Sequence, residues 1–366
     1  MKILIFNWRD PKNPKAGGAE VATLHHALGW IRAGHDVTWF SASFPHAKSY
    51  EIYQGIQIYR KGNQATVYLR AFLFYQKMKN KIDLVVDEVH GLPFFTPLYV
   101  SKPKIAFINE VAGVIWDATF PFPIGMIGRY AEPFILRLYK QVPIMTGSES
   151  AKKDLLKLGF LHTNIHVIHH GLEMQFVPRS INKEQKPTFL FVNRLVKMKG
   201  IEDVISAFAL IVASLPNAQL WIVGRGENEY VMRLQKKVKQ LGLEKNIAFL
   251  GYVSAHEKFV LYKKAHVLLH ASVKEGWGLN VIEAASQETP TIAYKVGGLV
   301  DSIQDGITGI LTKKNTSGQL AHESIQIIEN PLHYAKMQKG ALAYSKTFSW
   351  KKSIKESLQL LNTVQK

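Results

Sequence analysis

The chain contains no cysteine among its 366 residues. Disulfides and thiolate metal ligands are therefore excluded, and a reducing compartment is compatible with the composition. The chain also lacks any run of about 18 uncharged apolar residues, which a membrane-spanning helix requires. Its first apolar run, Lys2–Phe6, is too short for a signal-peptide core and predicts a buried strand. We expect a soluble, cytoplasmic protein, or at most a peripheral one on the inner face of the plasma membrane.

Acidic residues are few, with 28 Asp and Glu against 46 Lys and Arg, for a formal net charge of +18. Such an excess favours anionic partners: nucleic acid, acidic lipid headgroups or phosphorylated substrates. Basic residues outnumber acidic ones 20 to 13 through Phe176 and 26 to 15 after it, so neither half holds the charge alone. Zinc-finger spacing and aromatic ribonucleoprotein motifs are absent, so we do not expect nucleic acid as a partner.

Short apolar runs alternate with amphipathic stretches along almost the whole chain. In the first half the predicted strands are Lys2–Phe6, Asp36–Phe40, Asp83–Val86, Lys104–Ile108 and Pro143–Thr146, and the predicted helices include Glu20–Ala33 and Tyr68–Lys81. In the second half the strands are Thr188–Val192, Ala218–Val223, Ile247–Leu250, Val267–His270 and Thr291–Tyr294, and the helices include Ile201–Ser214, Glu229–Leu241 and Leu279–Gln287. This alternation predicts the α/β class, with parallel sheets covered by helices on both faces.

The two series are separated by Val177–Pro187, a polar stretch bracketed by prolines and without apolar periodicity. We interpret it as a linker between a first domain, residues 1–176, and a second domain, residues 188–349. Two doubly wound domains joined at this stretch would leave a cleft facing the carboxyl ends of their strands. Ligands bind at those ends in such sheets.

A glycine-rich segment, residues 274–298, carries the strongest chemical signal. A predicted strand ends near His270 and a helix opens near Leu279. Free backbone N–H groups at a helix start favour an anion, and the small Gly276 and Gly278 let a phosphate come close.

Two glutamates, Glu275 and Glu283, bracket this turn with seven residues between them. Eight residues of helix span about 12 Å, whereas glycosidase carboxylate pairs lie roughly 5–9.5 Å apart. Separate contacts, one to a sugar hydroxyl and one to a ribose, therefore fit better than a hydrolytic acid–base pair.

The Glu275–Glu283 spacing, with Gly-x-Gly-Leu inside it, resembles the Glu-x7-Glu motif of retaining glycosyltransferase family 4. The similarity extends along nearly the whole chain, through Gly17–Glu20, Asn193–Gly200, Thr289–Gly298 and Asp305–Gly309. It implies the GT-B fold: two doubly wound, Rossmann-like domains facing an interdomain cleft. The implied C-terminal helix, residues 350–366, packs back on the first domain. The implied activity is a retaining hexosyl transfer from a nucleoside diphosphate sugar to a hydroxyl acceptor, in cell-surface polysaccharide or glycolipid synthesis.

For the second domain the resemblance implies a donor site. Arg194 and Lys199 would hold the donor diphosphate, in keeping with the need of a leaving diphosphate for fixed cations. Glu275 would contact donor-sugar hydroxyls, and Glu283 the ribose. The other implied donor contacts are Tyr252, Val253, Gly276, Trp277, Gly278 and Leu279.

In the first domain, Gly17 and Gly18 would let backbone approach the donor phosphate or the acceptor. His90 matches a region where the family carries a histidine close to the reacting sugar, and such a group could donate hydrogen bonds there. With Arg194, Lys199 and Glu275 it completes the implied catalytic set.

No cofactor is expected. The Asp-x-Asp metal motif of the other main glycosyltransferase fold is absent, so we expect a metal-independent enzyme. His25–His26 has no companion at metal-ligand spacing, and His169–His170 before Gly171 suggests a turn or hinge.

Other functions are compatible with parts of this pattern. An NAD enzyme needs Gly-x-Gly-x-x-Gly directly after the first strand, but Asn7–Ala16 intervenes before Gly17. A nucleotide-sugar 2-epimerase of GT-B architecture and a non-catalytic sugar-nucleotide-binding relative stay open, because each would also bind a nucleoside diphosphate sugar.

The acceptor is the least defined partner. Two stretches combine aromatic and basic residues: Phe107–Pro143, with Phe107, Trp116, Phe120, Phe122, Phe134 and Tyr139, and Tyr68–Lys81, with Phe72, Phe74, Tyr75, Arg70, Lys77, Lys79 and Lys81. A basic, aromatic surface suits an anionic membrane or a lipid-linked acceptor. Alternatively, the aromatic residues belong to the core and the lysines face solvent. The sequence leaves both open.

Overall fold

A computed structural model describes residues 1–365, and it divides into two compact units. The first comprises Met1–Gly171 and the C-terminal stretch from Ser349; the second comprises Leu172–Phe348. The chain therefore changes unit directly after Gly171, five residues before the predicted end of the first domain and beside the predicted His169–His170 turn.

The first unit is built on an eight-stranded sheet. Its strands are β1 (Lys2–Phe6), β2 (Asp36–Ser41), β3 (Tyr50–Tyr53), β4 (Ile56–Arg60), β5 (Leu84–Val89), β6 (Lys104–Ile108), β7 (Ile144–Thr146) and β8 (Ile165–Val167). Its helices within Met1–Gly171 are α1 (Gly18–Arg32), α2 (Val67–Met78), α3 (Ile115–Thr119), α4 (Ile124–Leu136) and α5 (Glu149–Lys157). The strand order is β3-β4-β2-β1-β5-β6-β7-β8, and only the edge pair β3–β4 is antiparallel.

Strand β1 shows how this sheet is covered. Ile3 and Ile5 belong to one apolar cluster, with Trp30 of α1, whereas Leu4 and Phe6 belong to another. Successive side chains of a strand point to opposite faces, so a fully apolar strand must be buried on both sides. The apolar run Lys2–Phe6 therefore forms a strand that is buried on both faces, as predicted.

The second unit carries a six-stranded, all-parallel sheet. Its strands are β9 (Thr188–Val192), β10 (Gln219–Val223), β11 (Ile247–Gly251), β12 (Val267–His270), β13 (Thr291–Ala293) and β14 (Gly309–Leu311). Its helices are α6 (Ile201–Ser214), α7 (Asn228–Gln240), α8 (Ala255–Lys264), α9 (Leu279–Ala285), α10 (Leu299–Ser302), α11 (Ser317–Glu329) and α12 (Pro331–Ser345). The sheet order is β11-β10-β9-β12-β13-β14. The chain reverses its direction of travel across the sheet between β9 and β12, and ligands of doubly wound sheets bind at that point.

The stretch predicted as a linker, Val177–Pro187, packs on the second unit. Lys183 donates hydrogen bonds to the Ala265 carbonyl at 2.7 Å and to the Thr289 hydroxyl at 2.5 Å. Burial lowers the pKa of Lys183 to about 7, and the nearby charge of Lys263 acts in the same direction. The polar sequence, which lacks periodicity, gave no indication that Lys183 binds this stretch to the second unit.

The last helix, α13 (Trp350–Gln365), belongs to the first unit, as the resemblance implies. Leu360 and Leu361 are buried in the cluster that contains Trp30. A β-carbon on Gly29 would lie 2.3 Å from Ile354, so α1 and α13 meet where α1 has no side chain. Lys366, the last residue of the predicted helix, lies outside the described residues. Between residues 1 and 365, no helix has the length and apolar character to cross a membrane.

Candidate active site

Three loops meet at the carboxyl ends of β9, β12 and β13. Gly200, after β9, has a φ of +69°, and a β-carbon there would lie 1.9 Å from the Ala271 carbonyl oxygen. Gly298, after β13, has a φ of +77°, and its β-carbon would lie 2.3 Å from the Glu275 carbonyl oxygen. Only glycine permits both the conformation and the approach. The glycines of the sequence motif therefore bring these loops together.

The structure pairs two of the predicted catalytic residues. The ammonium of Lys199 lies 2.7 Å from Oε2 of Glu275, although 76 residues separate them. Lys199 follows β9 and Glu275 follows β12, which places the pair where the sheet order reverses. An ammonium has three donors, so Lys199 keeps two beyond the Glu275 contact.

The surroundings of Glu275 favour its ionised form. Burial by itself would raise the pKa of Glu275, but the charges of Lys199 and Arg194 and the hydrogen bond from Lys199 lower it below its ordinary value. His270 is fully buried, with Nε2 3.7 Å from the Glu275 carboxylate. Burial lowers the pKa of His270 to about 4. Near neutral pH the site thus holds a carboxylate beside a neutral imidazole.

Arg194 lies on the same turn as Lys199 and is exposed. Main-chain bonds fix this turn: the Leu195 amide donates to the Arg225 carbonyl at 2.7 Å, and the Lys199 amide donates to the Val196 carbonyl at 3.0 Å. A guanidinium on such a turn can turn toward an anion while its backbone stays in place.

Glu283 occupies separate surroundings on α9. Its carboxylate accepts hydrogen bonds from the Lys258 ammonium at 2.7 Å and the Tyr262 hydroxyl at 3.0 Å, both on α8. The two motif glutamates thus have different partners, in keeping with separate roles.

The predicted contacts between the glutamates fall into two kinds. Gly278 precedes α9 with a φ of +92°, so the small residue is required there, and Leu279 is the first residue of the helix. Trp277, by contrast, is buried, with its ring 5.2 Å from that of Phe348. A donor could therefore reach Trp277 mainly through its backbone. Gly276 lies in the loop between Glu275 and Trp277.

Tyr252 and Val253, two of the implied donor contacts, follow β11. Tyr252 is exposed, and the Arg225 guanidinium lies over its ring at 4.4 Å. Val253 instead packs partly against the core. Arg225 was not predicted from the sequence, although its place two residues after β10, at the same edge of the sheet, is a signal that could have identified it.

The predicted glycine pair of the first unit lies at the start of α1. The Gly17 amide donates to Glu20 at 2.7 Å, and Glu20 also accepts from the Arg9 guanidinium at 2.9 Å. Glu20 is fully buried. The Gly17 amide is therefore already engaged, and an amide contact from this pair falls to Gly18.

His90 follows β5 and faces two buried carboxylates. Its Nε2 lies 3.2 Å from Oε2 of Glu88 and 3.6 Å from Oε1 of Glu20. Burial raises the pKa of Glu88, against the opposing hydrogen bond and charge of His90, and Thr23 also donates to this carboxylate. Glu88 was not predicted as a site residue; strand β5 extends to Val89, beyond the predicted end at Val86.

The other histidines singled out in the sequence are structural. His26 bonds Ser357 of α13 at 3.0 Å, and His25 stacks on Trp350 at 4.2 Å. His170 bonds Asn109 at 3.1 Å, and His169 bonds the Gly147 carbonyl at 2.9 Å. Within residues 1–365, no three His, Asp or Glu side chains are grouped so as to hold a metal ion.

Comparison with known proteins identifies the class. A family model described as Glycosyltransferase Family 4 matches residues 16–176, and one described as Glycosyl transferases group 1 matches residues 174–363. With two Rossmann-like units and a cationic site at the switch point, the chain is a glycosyltransferase of the GT-B fold. It belongs to the glycosyl transferases group 1 family.

Relatives span the chain. An uncharacterized glycosyltransferase of Methanocaldococcus jannaschii is 26% identical over 343 residues, covering 85% of this chain and 84% of its own. Sucrose-phosphate synthase of Thermosynechococcus elongatus superimposes with a TM-score of 0.81 at 18% identity, covering 99% and 98% of the two chains. Anabaena HepE, in complex with UDP and glucose, gives a TM-score of 0.78 at 18% identity, covering 99% and 100%. At 18% identity, these two superpositions show that the fold is shared.

Proposed function

We propose that this glycosyltransferase moves a hexose from a nucleoside diphosphate sugar to a hydroxyl acceptor, with retention and without a metal ion. The observation that carries the proposal is the Lys199–Glu275 pair at 2.7 Å, beside exposed Arg194. It sets cations for a diphosphate next to a carboxylate for sugar hydroxyls. Family membership favours transfer over the 2-epimerase and non-catalytic alternatives.

The cations would act on the leaving group. As the bond between the anomeric carbon and the phosphate oxygen breaks, negative charge grows on the diphosphate, and fixed cations stabilise it. Arg194 suits a two-pronged contact with phosphate oxygens, and Lys199 acts as a point charge. These two side chains perform the task for which other enzymes use a divalent ion.

Retention follows from attack on the face that the diphosphate leaves. The acceptor hydroxyl forms its bond to the anomeric carbon there, and its proton passes to the departing phosphate oxygen. Glu275 orients the sugar by accepting from its hydroxyls, Glu283 contacts the ribose, and Tyr252 with Arg225 lies against the base. The amides of Gly278 and Leu279 contact phosphate.

The acceptor side falls to the first unit, where His90 and Gly18 would meet the acceptor. We propose a cytoplasmic enzyme whose acceptor is lipid-linked, acting in the synthesis of a cell-surface polysaccharide or glycolipid. HepE is known with UDP and glucose, which makes UDP the first nucleotide to test.

A thermal-shift screen with UDP, GDP, ADP and their sugars should single out one base. A ligand that binds only the folded chain stabilises it by about 2.7 kcal/mol at a hundred times its Kd, which raises Tm by several degrees. Arg194→Ala should greatly reduce the shift, whereas Arg179→Ala, outside the site, should keep it. If none of the nucleotides or their sugars shifts the wild type, the assignment of a nucleoside diphosphate sugar as donor is wrong.

His90→Asn should separate turnover from donor binding. Loss of a hydrogen bond made near the reacting atoms should lower kcat by about tenfold, while the nucleotide-induced shift in Tm stays unchanged because the diphosphate grip lies in the second unit. The control is His46→Asn, at an exposed position with a φ of +63° that asparagine tolerates. Unchanged kcat in His90→Asn would remove this histidine from the reaction.

A further inference from the structure

Helix α4 turns its apolar residues outward. The residues it buries are Gly125, Glu132 and Leu136, and a β-carbon on Gly128 would lie 2.3 Å from the Trp116 ring. A surface helix of a soluble protein ordinarily directs its apolar stripe to the core. In α4 the inward face instead consists largely of glycine and a carboxylate.

The outward face is large and aromatic. Its main members, with their exposed fractions, are Phe122 (82%), Ile124 (55%), Ile127 (59%), Tyr130 (66%) and Phe134 (64%), and Met126 and Leu138 add to it. Ile127, Tyr130 and Phe134 recur at three- and four-residue intervals, so they share one side of the helix. Contiguous exposed apolar surface of this kind marks an interaction site.

The orientation of α4 is fixed by its buried carboxylate. Glu132 accepts from the Ala112 amide and the Gly113 amide, each at 2.7 Å. Rotating the helix to hide its apolar side would strip both amides of their acceptor and bring a carboxylate to the surface. The exposed face is therefore built into the first unit.

Charge on and beside this face is mainly positive. The Arg137 guanidinium lies over the Phe134 ring at 4.8 Å, and Lys140 lies three residues further along the chain. Arg129 pairs with Asp117 at 2.9 Å. An apolar helical face interleaved with aromatic residues and bordered by cations has the chemistry of an interfacial helix. We propose that this α4 face, residues 122–138, docks the protein on an anionic lipid bilayer.

Charge also argues against a second copy as the occupant. Each chain carries a net charge of +18, so two copies repel each other at long range, whereas an anionic membrane attracts the chain. The aromatic rings and cations then share the headgroup region, while Ile124 and Ile127 reach the acyl boundary.

The α4 face overlaps only in part with the surface considered from the sequence, which included Phe122 and Phe134. Phe107, Tyr139 and Tyr75, three of the aromatic residues singled out there, are buried in the core. Lys77, Lys79 and Lys81 are exposed at the end of α2, as a solvated or a lipid-facing stretch would be. The apolar contact therefore belongs to α4, and the α2 lysines serve as a comparison.

A single side chain links the α4 face to His90. The Trp116 ring touches the position of Gly128 on α4, and a β-carbon on Gly91, next to His90, would lie 3.0 Å from the same ring. A bilayer on α4 would thus lie close to the acceptor-side histidine. Membrane docking itself does not depend on the proposed transfer reaction.

Flotation tests the proposal without donor or acceptor. Full-length protein should float with vesicles of equimolar phosphatidylglycerol and phosphatidylcholine at low ionic strength, and at least tenfold less with phosphatidylcholine alone. The triple variant Phe122→Ser, Ile127→Ser, Phe134→Ser should lower the floated fraction at least tenfold. A matched variant, Ile52→Ser, Ile307→Ser, Leu332→Ser, removes three exposed apolar side chains elsewhere and should float normally.

Three results would overturn the proposal. One is a wild type that stays with the soluble fraction on anionic vesicles. Another is an α4 variant that floats like wild type, above all if the triple variant Lys77→Glu, Lys79→Glu, Lys81→Glu loses flotation, which would place the membrane contact at the end of α2. The third is a dimer in analytical ultracentrifugation that the α4 changes dissolve, which would make the face a contact between copies. Because the changed residues are exposed, Tm should stay constant, and Phe122→Ser alone provides a milder variant should the triple variant fail to fold.

Discussion

Glu275→Gln should lower kcat/KM by about a hundredfold or more, equivalent to about 2.7 kcal/mol of transition-state stabilisation. Glutamine keeps the shape of the side chain but removes its charge. The sugar hydroxyls lose an ionised acceptor, and the buried Lys199 loses the partner at 2.7 Å that fixes its position. Two functions of one carboxylate fail together, so the loss should exceed that of a substitution that removes either function alone.

Glu288→Gln supplies the matched control. Glu288 pairs with Lys263 at 2.5 Å in the same unit but away from the loops of the site. Surface pairs of this kind contribute about 0–1 kcal/mol to stability, so this variant should turn over normally. Steady-state kinetics with the donor found in the screen, together with Tm for both variants, distinguish lost chemistry from lost folding. Near-normal turnover in a folded Glu275→Gln protein would contradict the site assignment.

Acid should destabilise the first unit through two buried histidines. Burial, helped by neighbouring histidines, lowers the pKa of His26 and of His170 to about 3, against 6.5 for an unperturbed histidine. As pH falls through 6.5, these two histidines bind protons in the unfolded chain but stay neutral in the folded chain. Stability is therefore complete above about pH 7 and lost progressively below it, by about 2 kcal/mol per histidine at pH 5. For a protein of ordinary stability, about 5–15 kcal/mol, the pair contributes a large part of the acid sensitivity, and the lowered pKa of His270 adds to it.

The slope of Tm against pH measures this effect separately from the cost of mutation. His26→Gln removes the titrating group, so its Tm should fall less than that of the wild type between pH 7.5 and pH 5, even if it starts lower. His333→Gln, at an exposed position, should keep the wild-type slope. A His26→Gln slope equal to that of the wild type would show that acid acts elsewhere. The raised pKa of buried Asp87 opposes the histidines, so the comparison rests on the difference between variants.

Local pattern predicted much of the fold, because fully apolar strands such as Thr188–Val192 and amphipathic helices such as Ile201–Ser214 depend on near neighbours. The edge hairpin β3–β4 was not predicted. Its strands are short and partly polar, although Gly55 between them is a turn signal in the sequence. In the structure Gln54 and Gly55 both have a positive φ. The contacts of the stretch Val177–Pro187 were not predicted, because the hydrogen bond of Lys183 goes to a carbonyl group about 80 residues away along the chain.

The site divides in the same way. Arg194, Lys199 and Glu275 follow predicted strands, and the carboxyl ends of parallel strands share one edge, so their proximity could be expected. His270 and Glu88 lie at or near the carboxyl ends of β12 and β5 and are fully buried, and sequence alone does not distinguish a polar core residue from a site residue there. The outward face of α4 was anticipated only in part. Phe122 and Phe134 belong to the aromatic stretch singled out in the sequence, but no helix was predicted there, and sequence alone does not show which side of a helix meets solvent.

The glycine contacts among the site loops bear on attempts to change donor specificity. A β-carbon on Gly298 would collide with the Glu275 carbonyl, one on Gly200 with that of Ala271, and one on Gly224 with that of Asn193. Each loop is thus shaped to the main chain of its neighbour. A graft that imports only the segment after β12 from another enzyme would meet a mismatched partner on each side. Loop exchange in this unit should succeed only when the segments after β9, β10, β12 and β13 travel as one block.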